Sequence, residues 1–270
     1  MSANTRRGLV VAAAVVLVAV VGGLGLRALW HTALSQFTPT GCTLGAFSLD
    51  TSQAAVASTM VGVVTTRGLP ERAAVLALAA GLQESKLRNL PPGNGDRDSV
   101  GVLQQRPSQG WGTAAHLNDV HFATNAFLNA LLRVPSWQTL QLATAVQDVQ
   151  NSADGSAYAQ HETEAQAVAD RLMGKPPAGI TCSFDKPTVV ATTAAISAAL
   201  QRDLPVNTPT VTPRAVTVPG AGWQTAAWFV ANADRLGIDT VAYDGKSWSR
   251  ANGWRAGSAP ATAVVATLPA

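Results

Sequence analysis

Glu84 is the residue with most chemistry to offer. It closes a run containing Val75, Leu76, Leu78, Ala79 and Leu82, whose spacing predicts a helix that is apolar almost all round. A carboxylate in the last turn of such a helix faces the negative end of the macrodipole and loses hydration among apolar walls. Both effects favour the protonated form. A glutamic acid that keeps its proton near neutral pH is what general-acid catalysis at a glycosidic oxygen requires. Its own face of the helix carries Ala77, Ala80 and Gly81, small enough for another element or a ligand to approach the backbone. The same position equally suits an ordinary solvated Glu at a fraying helix end beside Lys86 and Arg88.

Most glycosidases use two carboxyl groups, and Asp96 and Asp98 follow on the next loop. Either can hold a water for an inverting hydrolysis, or hydrogen-bond its own backbone in a Gly-rich turn. Turn chemistry is the expectation for Asp96, and both readings stay open for Asp98. His116, His121 and His161 lack metal-ligand spacing, since five residues set the first two on different faces of a helix, so neither metal nor cofactor is expected.

The elements that must position these groups are mostly helical. Asp50 and Thr51 are plausible caps for a helix reaching Arg67 and stopping at Gly68. Pro70 and Glu71 suit the first turn of the helix that ends at Glu84. Residues 89–101, NLPPGNGDRDSVG, read as a loop, and 102–105 as a short extended or turn segment ended by Pro107. Further helices are expected at 122–133, 137–150 and 162–173.

Glu84-Ser85 at a helix end, followed by Asp98-Ser99-Val100-Gly101-Val102-Leu103-Gln104, resembles the Glu-Ser and Ser-x-x-Gly-Leu-Met-Gln motifs of soluble lytic transglycosylases and goose-type lysozymes. The resemblance spans about 45–175. It implies a lysozyme-like helical domain that cleaves the β-1,4 bond between N-acetylmuramic acid and N-acetylglucosamine in peptidoglycan. Glu84 is implied to be the acid and base, with Ser85 supporting it. Asp98, Ser99, Gly101, Val102, Leu103 and Gln104 are implied to contact the sugars. The family's third motif, Ala-Tyr-Asn-Ala-Gly, aligns with Val149-Gln150-Asn151-Ser152-Ala153, which adds Gln150 and Asn151 and puts Gln150 where a substrate-contacting Tyr would lie. A non-catalytic peptidoglycan-binding or scaffold protein on the same fold is therefore the alternative. The block with Arg106, Gln109 and Trp111 resembles a variant found in actinobacterial membrane-anchored cell-wall proteins. A transglycosylase needs one carboxyl only, because the muramoyl 6-hydroxyl closes on its own anomeric carbon to leave a 1,6-anhydro end.

Charged residues make up 13% and hydrophobic ones 47% of 270, which excludes intrinsic disorder. A net charge of +3 makes no basic stripe, so nucleic acid is set aside as a partner. Residues 8–26 carry no charge, and at about 1.5 Å each they cover roughly 28 Å, close to the hydrocarbon thickness of a bilayer. Arg6 and Arg7 precede them, so the expectation is a signal-anchor in the lipid bilayer, N-terminus cytoplasmic and main domains outside. Cys42 and Cys182 are the two cysteines, and an oxidising compartment favours their pairing.

After Cys182 come an expected helix at 188–202 and a stiff linker with Pro205, Pro209, Pro213 and Pro219. A small α/β unit follows, with a helix over 223–236 and strands at 238–243 and 263–268. Its Trp223, Trp228, Trp248 and Trp254 are expected in its core rather than stacked on sugars. Residues 220–268 weakly resemble a cell-wall domain related to zinc carboxypeptidases of the D-Ala-D-Ala type. With no His or Cys after Cys182 the zinc ligands are missing, which leaves a binding or spacer module. The expected architecture is thus mainly α: a transmembrane anchor within 1–30, a lysozyme-like domain over 42–182, a helix and linker over 183–219, and an α/β module over 220–270.

Overall fold

The computed structural model describes residues 40–150, 155–187 and 189–270. Helix α1 (Thr51–Thr66) starts where Asp50 and Gln53 close a capping box: the Asp50 carboxylate accepts from the Gln53 backbone at 2.8 Å, and the Gln53 side chain accepts from the Asp50 backbone at 2.7 Å. Helix α2 (Glu71–Ser85) is buried along nearly its whole length, as its all-round apolar sequence requires, and packs on α1 and on α6 (Glu162–Leu172). Between them the chain runs through α3 (Ala114–Leu117), α4 (Val120–Leu131), α5 (Leu142–Gln150) and a 3₁₀ turn at Gly155–His161.

The mainly α expectation with a transmembrane helix does not hold. The described residues are 45% helix and 17% strand, the strands arranged in two sheets. Among the described residues no helix is long and apolar enough to cross a membrane, and the 8–26 segment lies outside them. In the first sheet β1 (Gly41–Leu44) is flanked antiparallel by β2 (Phe47–Leu49) and β3 (Thr181–Ser183). Cys42 and Cys182 sit opposite each other in the β1–β3 register and form a disulfide. The second sheet is antiparallel, in the order β4 (Thr210–Val211), β5 (Ala215–Pro219), β9 (Ala263–Thr267), β6 (Thr240–Tyr243), β7 (Lys246–Ser249), β8 (Gly253–Ala256).

The Pro-rich stretch expected as a linker thus supplies two strands. Pro219 ends β5, and Pro213 lies in the turn before it, so neither removes a donor from the middle of the sheet. After α7 (Thr193–Asp203), helix α8 (Trp223–Ala231) packs on this sheet and on α1, and α9 (Ala233–Leu236) packs on α1 and α8. Trp228 and Trp248 are wholly buried, while Trp223 and Trp254 pack partly buried at the core's edge. Their indoles also bridge to earlier parts of the chain. Trp228 donates to the Asp203 carboxylate at 2.9 Å, Trp248 to the Cys182 carbonyl at 3.2 Å and Trp254 to the Ile180 carbonyl at 2.8 Å. One apolar core therefore continues from α1 and α2 into the tail, and Thr40–Ala270 is one compact unit.

Candidate functional site

Helix α2 ends sharply just past Glu84. Lys86 and Leu87 both take left-handed backbone angles, and the Leu87 amide donates back to the Gly81 carbonyl at 2.9 Å. That reversal folds Leu87 onto Gly81, where a Cβ would stand 2.9 Å from the Leu87 side chain and 3.3 Å from that of Val102. The small face seen in the sequence is thus filled by protein. Ser85 is buried, and its hydroxyl donates to the Val102 carbonyl at 2.7 Å, tying the helix end to the returning loop. The loop closes through bridges between Leu90 and Gly101 and between Val100 and Gln105. Gly101 has φ +79°, and a Cβ there would collide with the Leu117 carbonyl, so only glycine fits.

Glu84 is half-buried and lines a cavity of about 460 Å³ together with Asn94, Asp96, Ser99, Gln104, Arg106, Gln109, Trp111, Gln150 and Tyr158. Tyr158, 1% exposed, comes from the 3₁₀ turn and donates its hydroxyl to Glu84 Oε1 at 2.6 Å. Burial pushes the Glu84 carboxyl above its ordinary value, and the hydrogen bonds from Tyr158 and Gln150, which favour the ionised form, only partly offset it. Burial is therefore the cause that matters at this helix end. The carboxyl and its two polar neighbours together form a group that can hold and release a proton at the cavity wall.

Removing the Tyr158 hydroxyl withdraws one of those offsets. Tyr158→Phe is expected to raise the Glu84 pKa further, so that any activity needing protonated Glu84 persists to higher pH. A pH–rate profile, or the carboxyl resonance of Glu84 followed by NMR through a pH titration, checks the direction.

The other predicted contacts divide into floor and wall. Val102 and Leu103 are fully buried in the core and Gly101 is buried against Leu117, so strip 101–104 reaches the cavity through Gln104 alone. Ser85 likewise acts from below the surface, as a tether and not as a sugar contact. Ser99 and Gln104 lie in the wall, with Gly95 packed so closely on both that any side chain there would strike them. Gln150 Nε2 donates to the Leu103 carbonyl at 3.0 Å, and Asn151 lies outside the described residues. Tyr158, Asn94 and Gln105 were not legible as site residues, although Tyr158 is one of only two tyrosines in the chain.

Asp98 does not stand free to hold a water. Arg106 Nε donates to it at 2.8 Å, and the Ser108 amide and hydroxyl donate at 2.8 and 3.0 Å, which holds its carboxyl well below the usual carboxylate range. It is a brace that fixes Arg106 in the cavity wall. Asp98→Asn is expected to weaken ligand binding about two- to fivefold while leaving any turnover number unchanged. Because the folded-state pKa is depressed, the brace is in place above the ordinary Asp value and is lost only as pH falls through the depressed one. The gap between wild type and Asp98→Asn in a thermal melt should accordingly be constant from neutral pH down to about pH 4. Asp96, with 92% of its side chain exposed, sits on the rim 3.9 Å from Arg97 Nε.

The histidines disperse. The His116 ring packs on Phe122, the His121 ring contacts Asn125 and the Arg202 carbonyl, and His161 Nε2 lies 2.9 Å from Gln83 Oε1. Among the described residues no group of three or more His, Cys, Asp or Glu is placed to hold a metal ion.

Comparison with known families bears on the other end of the chain. A family model described as VldE, C-terminal domain, matches residues 210–263. The tail is similar to that domain. The match runs from the start of β4 to the first residue of β9, so it covers β4 to β8 of the larger sheet with α8 and α9 and leaves most of β9 and the Glu84 cavity outside. A search of curated proteins returned no match.

Proposed function

We propose that this protein cleaves peptidoglycan glycan strands at the β-1,4 bond between N-acetylmuramic acid and N-acetylglucosamine, using Glu84 alone. The observation that carries this reading is a half-buried Glu84, its pKa raised by burial, at the wall of a polar cavity with Gln104, Trp111 and Gln150. With Asp98 braced by Arg106 and Ser108, and Asp96 on the exposed rim, neither of the two carboxylates on the loop after Glu84 is set to activate water. That favours the intramolecular route over hydrolysis. Glu84 gives its proton to the departing glycosidic oxygen as the bond from C1 breaks. The resulting carboxylate, steadied by Tyr158, takes the proton of the muramoyl 6-hydroxyl as that oxygen bonds to C1. Proton and electron pairs balance, and Glu84 ends neutral again. The disulfide supports work outside the cytoplasm, where the polymer lies.

A non-catalytic glycan binder is favoured by one feature. The Gln150 amide, where the family motif has an aromatic ring, is turned onto the Leu103 carbonyl. Incubation of the protein with purified sacculi, followed by mass spectrometry of the released fragments, decides between them. Anhydromuramoyl ends support the proposal. Reducing ends reject the single-carboxylate route, and binding without new ends leaves the binder.

A further inference from the structure

A second cavity, of about 1010 Å³, adjoins the Glu84 cavity and shares Gln109 and Trp111 with it. Its lining includes Arg133, just beyond the end of α4, and Asp148 on α5. Both are exposed, and among the described residues neither side chain makes an ion pair or a hydrogen bond. A cation and an anion on one cavity, not closed on each other, are both available to a ligand carrying the opposite pair. The sugar rings of a glycan strand have no such charges. The peptide on each muramoyl residue does: it ends in carboxylates, and its diamino acid carries an ammonium until cross-linking turns that amine into an amide.

We propose that the Arg133–Asp148 cavity takes this peptide stem, with a carboxylate on the Arg133 guanidinium and the free ammonium on Asp148. The inference rests on the reading of the Glu84 cavity as the sugar site, since the shared Trp111 wall is what places a stem beside its own muramoyl ring. Arginine suits the carboxylate because its planar fork can donate twice to one group. The site favours strands whose stems are not cross-linked, because the amide formed by cross-linking offers Asp148 no charge.

Isothermal titration of the full chain tests this with three probes: a disaccharide tetrapeptide with a free amine, the same compound N-acetylated on that amine, and the peptide-free disaccharide with its lactyl carboxyl capped as a simple amide. The free-amine probe should bind about tenfold more tightly than the peptide-free one. Arg133→Ala and Asp148→Asn should each remove most of that gain and leave the peptide-free affinity unchanged. N-acetylation of the probe should reproduce the Asp148→Asn effect on wild type. Both positions are exposed, so matching thermal melts will show that the variants fold. Equal affinity of wild type for all three probes, or unchanged affinities in both variants, overturns the stem site whether or not sacculi are cut. Loss of disaccharide binding together with absence of sacculus cleavage would instead overturn the sugar site, and the stem site with it.

Discussion

Glu84→Gln is expected to lower release of anhydromuramoyl fragments from sacculi by about 10²- to 10⁴-fold, the usual contribution of a positioned acid and base, while sacculus binding is kept. The substitution is nearly isosteric, and an amide oxygen still accepts the Tyr158 hydroxyl now 2.6 Å from Glu84 Oε1. What disappears is the proton. The same change should make the protein more stable at neutral pH. Burial raises the folded-state pKa of Glu84, so ionising it disfavours the fold, and the cost grows as pH rises through the ordinary Glu value toward the raised one. Chemical denaturation at pH 7 should show Glu84→Gln above wild type, with the gap closing by about pH 4, where both side chains are neutral. A variant that cuts as fast as wild type would remove Glu84 from the reaction, and one that is less stable at pH 7 would show that its carboxylate is supported and not strained.

The second large effect belongs to the disulfide. It closes a loop with a sequence separation of 140 residues, and on the chain-entropy account such a bridge removes about 5 kcal/mol of unfolded-state freedom. Replacing both Cys42 and Cys182 by Ala should lower the unfolding free energy by about 4–5 kcal/mol, a large part of the 5–15 kcal/mol typical of a domain. Both residues are 1% exposed and face each other across β1 and β3, so the variant also loses a buried contact between these two strands. Urea titrations of wild type and variant give the difference directly. A loss below about 1 kcal/mol would mean that the unfolded chain is already held compact by other contacts.

Helices with strong local signals were legible from the sequence, and so were β6 and β9, expected at 238–243 and 263–268, whereas β1 to β5, β7 and β8 were not. The capping residues at Asp50 and the stop at Gly68 bracket α1 as expected, because caps act through backbone groups only a few residues away. Helix α5 begins later than its apolar spacing suggests, since Ser136, at φ 56°, turns the chain and its carbonyl takes the Thr139 and Leu140 amides. Strands β4 to β9 hold two to five residues each, and the pairings of β5 and β6 with β9 join segments far apart along the chain. No local pattern marks Pro219 as the end of a strand paired with Ala263. At the cavity, Glu84 and Gln104 were readable because a helix end and a tight loop are local features. Tyr158 was not, because its bond to Glu84 spans 74 residues and depends on how the 3₁₀ turn lies against α2.

The indole bonds from Trp248 and Trp254 onto the carbonyls of Cys182 and Ile180 make the tail a splint for the cystine strand. Anyone trimming this chain back to its cavity-bearing half would strip the cover from β3 and leave those carbonyls to solvent. The tail's reach into other proteins, if it is ever grafted, has the same condition attached: its tryptophans must find a strand edge to lean on, or they become an exposed greasy face.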